Sequence, residues 1–150
     1  MAEDIRVVAH FRDGSLLRGS ALDFMLDRTS FHLRPHDGTS PVEVRCADLK
    51  ALFFVKSLRG NSRQRGLKGF LSSPGASTHG MKIVVRFEDG EILCGYSHTY
   101  SRERAGFFVF PADPNSNNLR VYVITDAAVE VKTGAAADQF ARSILQKRIA

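Results

Sequence analysis

One motif, Phe-x-Asp-Gly-x4-Gly, occurs twice, at Phe11 to Gly19 and at Phe87 to Gly95. The offset of 76 between the copies constrains the fold more than any other feature of the chain. Ile5 to Gly19 reads against Met81 to Gly95 with Phe11/Phe87, Asp13/Asp89, Gly14/Gly90, Leu17/Leu93 and Gly19/Gly95 in common. The same offset aligns Phe31 to Pro35 with Phe107 to Pro111, and Asp37 with Asp113. The chain therefore reads as a tandem duplication, about residues 4–55 and 81–132.

Each copy predicts five short strands. Val7, Ala9 and Phe11, like Ile83, Val85 and Phe87, alternate with mostly polar neighbours at the period of a half-buried strand. Asp13-Gly14 and Asp89-Gly90 supply the positive φ angles of a type I′ hairpin turn, and residues 15–24 and 91–100 return as second strands. Gly19 and Gly95 fall inside those strands, where glycine marks a bulge or sharp bend. Later strands are expected near 30–34, 41–45 and 49–56, and near 105–110, 119–124 and 127–132. A long bent second strand closes small barrels. The expected fold is thus all-β: two five-stranded SH3-like or Sm-like small barrels in tandem, packed together, plus one C-terminal α-helix.

A unit of about 50 residues buries little surface by itself, so the copies are expected to pack on each other. Residues 51–55 and 106–110 carry apolar side chains on both strand faces, as strands covered on two sides do. Phe53, Phe108 and Phe110 are accordingly candidate contact residues between repeats or between two copies of the chain. In 135–149, Ala137, Phe140, Ala141, Ile144 and Leu145 form one apolar helical stripe. Phe140 and Ile144 on that stripe would cover a barrel end, dock on another protein or pair a homodimer. The resulting division is 1–55 first repeat, 56–80 linker, 81–132 second repeat and 133–150 helix.

Charge is unevenly placed. The chain has 21 Lys+Arg against 16 Asp+Glu, a formal net charge of +5. Neither repeat contributes to that excess. Residues 56–80 hold Lys56, Arg59, Arg63, Arg65 and Lys68 with no acid at all, among many Gly and Ser. Arginine forks match phosphate oxygens, and nearby glycines let backbone N–H groups approach an anion. Arg59, Arg63, Arg65 and Lys68 are therefore candidate ligands for an anionic partner: a phosphorylated nucleotide, an acidic protein surface or, non-specifically, nucleic acid. Phe70 is the one aromatic in the segment, which disfavours base-by-base reading of a single strand.

At 43% hydrophobic residues, the 150-residue chain is an ordinary globular protein rather than a disordered one. No run of 18 apolar residues is present and the start lacks a secretory signal pattern, so no membrane span and a cytoplasmic location are expected. Cys46 and Cys94 lack zinc or CxxC spacing and read as buried fillers. His32 and His36 are not spaced as a helical metal pair, and no GxSxG, Walker, GxGxxG or HExxH pattern occurs. The polar stretch Ser97 to Arg102 resembles a site most closely, but reads as a loop. No enzyme activity, metal or cofactor is expected.

Three resemblances bear on these readings. Asp-Gly-x4-Gly resembles the first motif of Sm-like barrels, and Arg59-Gly60-Asn61 is similar to their second, although Met25 stands where a base-binding acid would be. The likeness implies small-barrel geometry without ring assembly or uridine binding. Arg59-Gly60-Asn61-Ser62-Arg63 has the RxxxR spacing of PilZ domains, which implies a cyclic di-GMP-like ligand; the later PilZ element is missing. Residues 5–132 resemble a bacterial family of tandem small β proteins, some attached to signalling proteins, with no assigned activity. Together these readings imply a non-catalytic binding or adaptor module that takes a phosphate-bearing ligand through the basic linker. The alternative is a purely structural interaction module that uses the aromatic strands and the helix.

Overall fold

A computed structural model describes residues 5–26, 28–56, 80–113 and 117–149. The first half contributes β1 (Ile5–Phe11), β2 (Leu16–Ala21), β3 (Ser30–Pro35), β4 (Val42–Arg45) and β5 (Leu49–Val55). The second contributes β6 (Met81–Phe87), β7 (Ile92–Ser97), β8 (Gly106–Pro111), β9 (Asn118–Ile124), β10 (Ala128–Thr133) and α1 (Gly134–Ile149). All ten strands belong to one antiparallel sheet in the order β10-β6-β7-β8-β9-β5-β1-β2-β3-β4.

The halves share one strand order, β5-β1-β2-β3-β4 and β10-β6-β7-β8-β9. The first three strands of each correspond at the offset of 76. Beyond them the offset grows to 79, as the single-turn helices Cys46–Asp48 and Thr125–Ala127 show. The three extra residues lie between Pro111 and Val121, the partners of Gly95 and Val109. Backbone hydrogen bonds repeat with the strands: Phe11 N–H donates to Ser15 O as Phe87 N–H donates to Glu91 O, and His36 N–H to Arg18 O as Ala112 N–H to Cys94 O.

Both Asp-Gly turns form, but each is one residue longer than a type I′ hairpin. Gly14 N–H donates to Phe11 O and Gly90 N–H to Phe87 O, and each glycine then takes a left-handed φ of about +90° (93° and 91°). This is a β-turn followed by a glycine bulge, in which the Asp stays outside the left-handed region's demand. Asp13 Oδ1 instead accepts the N–H of Ser15 at 2.8 Å, and Asp89 Oδ1 that of Glu91 at 3.0 Å. Gly19 and Gly95 have a different cause from a bulge. A Cβ at Gly19 would stand 2.0 Å from Arg34 O, and one at Gly95 2.2 Å from Phe110 O. The third strand of each half crosses too close to admit any side chain.

The expected pair of separately closed barrels is replaced by a single open sheet. Closing a barrel within a half would pair β4 with β5, or β9 with β10; instead β5 pairs with β9, matching Leu52 with Tyr122 and Phe53 with Val121. That pair is the seam of the molecule. All seven residues of β5 are buried. Leu52, Phe54, Tyr122 and Ile124 face the first core, with Val7, Phe31 and Leu33, whereas Ala51, Phe53, Val55, Val121 and Val123 face the second, with Ile83, Phe87 and Phe107. Each seam strand therefore serves two cores, which is why 51–55 is apolar on both faces.

Polar ties reinforce the seam. Arg12 pairs with Glu88 at the equivalent position of the other half, so the first hairpin of each half meets its counterpart. Lys50 is 8% exposed and donates to Asp89 Oδ2 at 2.8 Å and to Glu91 Oε1 at 2.5 Å, with its ammonium over the Phe87 ring. A buried cation is held here by two carboxylates of the opposite half. α1 packs against β6 and β10, and its Ala137 and Ala141 close a small third core with Val84, Cys94 and Tyr96.

Candidate anion-binding groove

Both neighbours of β5 run antiparallel to it, so the end of β5 lies between the beginnings of β1 and β9. That arrangement gathers Ile5 and Arg6, Phe54, Val55 and Lys56, and Leu119 and Arg120 around a groove of about 730 Å³. Its size falls within the range of small-molecule sites. Three of the seven lining residues are cations and none is an acid. Ile5 and Leu119, 48% and 55% exposed, give it an apolar rim. Arg6 Nη1 donates to Lys56 O at 2.6 Å, and Lys56 N–H donates to Asn117 O at 2.9 Å, so the three segments are joined at the mouth.

Arg120 is exposed, yet its position is fixed. Its guanidinium lies 4.6 Å from the centroid of the Phe54 ring and 4.7 Å from that of Phe108. Those rings are packed in turn by Phe24, from the loop between β2 and β3, which meets Phe31, Phe54, Phe108 and Tyr122 edge-on at 5.1 to 6.4 Å. Edge-to-face rings resist sliding, and cation–π attraction then holds the guanidinium over them. Tyr100, at the equivalent position in the second half, packs edge-on against Phe107 at 4.8 Å as Phe24 does against Phe31 at 5.4 Å.

Other polar clusters are structural or isolated. His10 stacks 4.1 Å from Phe53, and burial pushes its pKa down to about 4. On the first half's outer strands, Asp23 accepts the backbone N–H of His32 at 2.5 Å and its Nδ1 at 2.7 Å. Those bonds hold Asp23 below the usual carboxylate range and raise His32. Burial raises the Cys46 thiol and pushes that of Cys94 up to about 12, so neither is a thiolate at neutral pH. Ser97 Oγ donates to Phe108 O at 2.6 Å and Thr99 Oγ1 accepts from Phe108 N–H at 3.0 Å, which puts that polar stretch to work holding β8. Among the described residues no three His, Cys, Asp or Glu side chains converge as a metal site would require.

Arg59, Arg63, Arg65 and Lys68 lie outside the described residues, in the segment that follows Lys56 in the chain. Phe53 is buried in the second core, and Phe108 is half-buried beneath Arg120. Phe110 is half-buried on β8 opposite Tyr96; Phe140 and Ile144 are half-buried on α1, Phe140 beside the third core. Sequence reasoning singles out none of Arg6, Phe24 and Arg120, and counts Lys56 only as linker charge. Only the pairing of β1, β5 and β9 brings the three cations together, so no local pattern could reveal them. Phe24 and Tyr100 did carry a signal, since both are aromatic at an offset of 76.

A family of unknown function, DUF6982, matches residues 3–134, a span that takes in the whole ten-stranded sheet. The chain belongs to DUF6982. No curated protein and no solved structure matches it. The DUF6982 match thus covers every residue of the groove but assigns it no role. No helix among the described residues of this DUF6982 chain is long and apolar enough to cross a membrane.

Proposed function

We propose that this protein is a non-catalytic binding module that takes a phosphate-bearing ligand in the groove at the seam, assisted by Arg59, Arg63, Arg65 and Lys68. One observation carries the reading: three of the seven described residues lining a ligand-sized groove are cations and none of the seven is an acid, at the residue where the acid-free basic segment begins. Charges of one sign on low-dielectric walls focus a field on an anion. Each half is read as a small-barrel unit of SH3-like or Sm-like type that stays open because the last strand of the first, β5, pairs with the fourth strand of the second, β9. A cyclic-di-GMP-like nucleotide heads the candidate ligands, ahead of an acidic protein surface and nucleic acid. The rival, an interaction module built on the aromatic strands and the helix, has less to draw on, because Phe53 is buried within the chain and Phe108, Phe110, Phe140 and Ile144 are each half-buried.

A thermal-shift series tests this with cyclic di-GMP, nucleoside triphosphates and short oligonucleotides at low and high salt. A ligand at 100 times its Kd adds about 2.7 kcal/mol of stability, a shift of several degrees. The shift is expected to shrink with salt, as exposed charge interactions do. It should be lost when Arg6, Lys56 and Arg120 are changed together to Gln, and weakened when the four linker cations are. An unaltered shift in both variants overturns the reading.

A further inference from the structure

The groove is far larger than a phosphate needs. About 730 Å³ with an apolar wall of Ile5, Phe54, Val55 and Leu119 suits a ligand that has a substantial uncharged body as well as an anionic end. The cations are also unlike one another. Arg6 is tied to the carbonyl of Lys56, whereas no carboxylate among the described residues pairs with Arg120. The two rings beneath Arg120 have centroids 5.9 Å apart, inclined by 54°, so the guanidinium carbon is cradled between them at nearly equal distances. Arg120 as a whole is nonetheless exposed, so the side chain remains within reach of a ligand. A planar, weakly hydrated guanidinium fixed in this way offers a stacking surface and a phosphate-binding fork at once.

We infer that Arg120 is the discriminating residue of the groove: it stacks on the base of a nucleoside phosphate while Arg6 and Lys56 take the phosphates. This rests on the phosphate-binding reading above and specifies the ligand class within it. Ring and phosphates would share one groove, with the base over Arg120 near Leu119 and the anionic end toward Arg6 and Lys56, where the basic segment begins. A base-bearing ligand would be distinguished from a bare polyphosphate by the stack, and from a lipid phosphate by its planarity.

The test compares GTP with tripolyphosphate, the same anion without the nucleoside, by titration calorimetry on the full chain at low salt. The parent protein should bind GTP at least about tenfold more tightly than tripolyphosphate, a factor worth about 1.4 kcal/mol. Arg120→Lys keeps the charge and the aliphatic stem but loses the planar fork. It should bring GTP down to the tripolyphosphate level and leave tripolyphosphate unchanged, with an unaltered melting curve as the check on folding. Arg120→Gln, with a planar but uncharged end, should retain part of the preference for GTP while weakening both ligands. Equal affinity of the parent for the two ligands, or an equal loss of both in Arg120→Lys, overturns the stacking role but leaves the phosphate site standing. Binding of neither, or binding only to vesicles containing anionic lipid, overturns both.

Discussion

β5 and β10 hold the same place in the two halves, as do β9 and β4, yet one pair forms the centre of the sheet and the other supplies its two edges. All seven residues of β5 are buried, whereas no residue of β10 is. The last four residues of β9 are buried; on β4 only Val44 is. Charge follows the same division. Glu43 and Arg45 stand on β4, and on β10 Glu130 holds Arg86 Nε at 3.1 Å and lies 3.7 Å from Lys132 Nζ. Unpaired strand edges recruit other strands unless charge blunts them. Divergence between the repeats has therefore made one junction apolar enough to seal and left its counterpart too polar to do so. The groove lies at the sealed junction.

The sharpest break in that comparison is Phe53→Ala. The side chain sits on a strand of the first half but fills the core of the second, so its loss leaves a cavity that neither half can collapse independently. A cost of about 3–5 kcal/mol is expected from urea melts. Lys132, the corresponding residue of β10, stands at the edge of the sheet, and Lys132→Ala should change stability by no more than about 0.5 kcal/mol. Comparable losses in the two variants would mean that the seam does not hold the halves together.

Much of this contrast was written locally, and the decisive part was not. The Phe-x-Asp-Gly motifs place both first hairpins, and the two-faced apolar run at 51–55 marks a strand covered on both sides. The exchange of partners at the seam has no local signature, because β5 takes β9 rather than β4 through side chains some 70 residues away. The opposite charges of Arg12 and Glu88 at matched repeat positions hinted that the hairpins meet. The Asp-Gly pairs misled about turn length because the same dipeptide suits a two-residue turn and a three-residue turn ending in a left-handed glycine. The groove is the least legible feature, being assembled from three strands widely separated in the chain. The basic segment pointed to anions, but not to Arg6 or Arg120.

A smaller effect on stability, but a visible one in solution, is expected from making the edge resemble the seam. Glu130→Val with Lys132→Val removes both charges from β10 and gives it a run of valines with Val129 and Val131. Concentration-dependent association should follow in light scattering, through strand addition at the exposed edge. A double variant that scatters like the parent at every concentration would show that these charges are not what protects the edge.

The smallest effect separates two histidines, one at the seam and one beside the edge. His10, stacked on Phe53, is held neutral by burial with its pKa down at about 4; Lys50 and Arg18 add to the lowering, while Glu91 and Asp89 oppose it. In the unfolded chain it takes its proton near pH 6.5. Its contribution to stability is therefore complete above that pH and is lost as pH falls toward 4. His32 lies opposite Glu43 of β4, and its bond to Asp23 raises its pKa. The sign is reversed: its stabilisation is present below pH 6.5 and lost as pH rises through the folded value. NMR titration should show the His10 ring still uncharged at pH 5.5 while His32 is protonated above pH 6.5. Phe53→Ala should admit water beside His10 and move its pKa back toward 6.5, with His32 unchanged. A His10 that titrates near 6.5 in the parent protein would mean that water already reaches the seam, and the contrast between sealed centre and open edge would fail at that point.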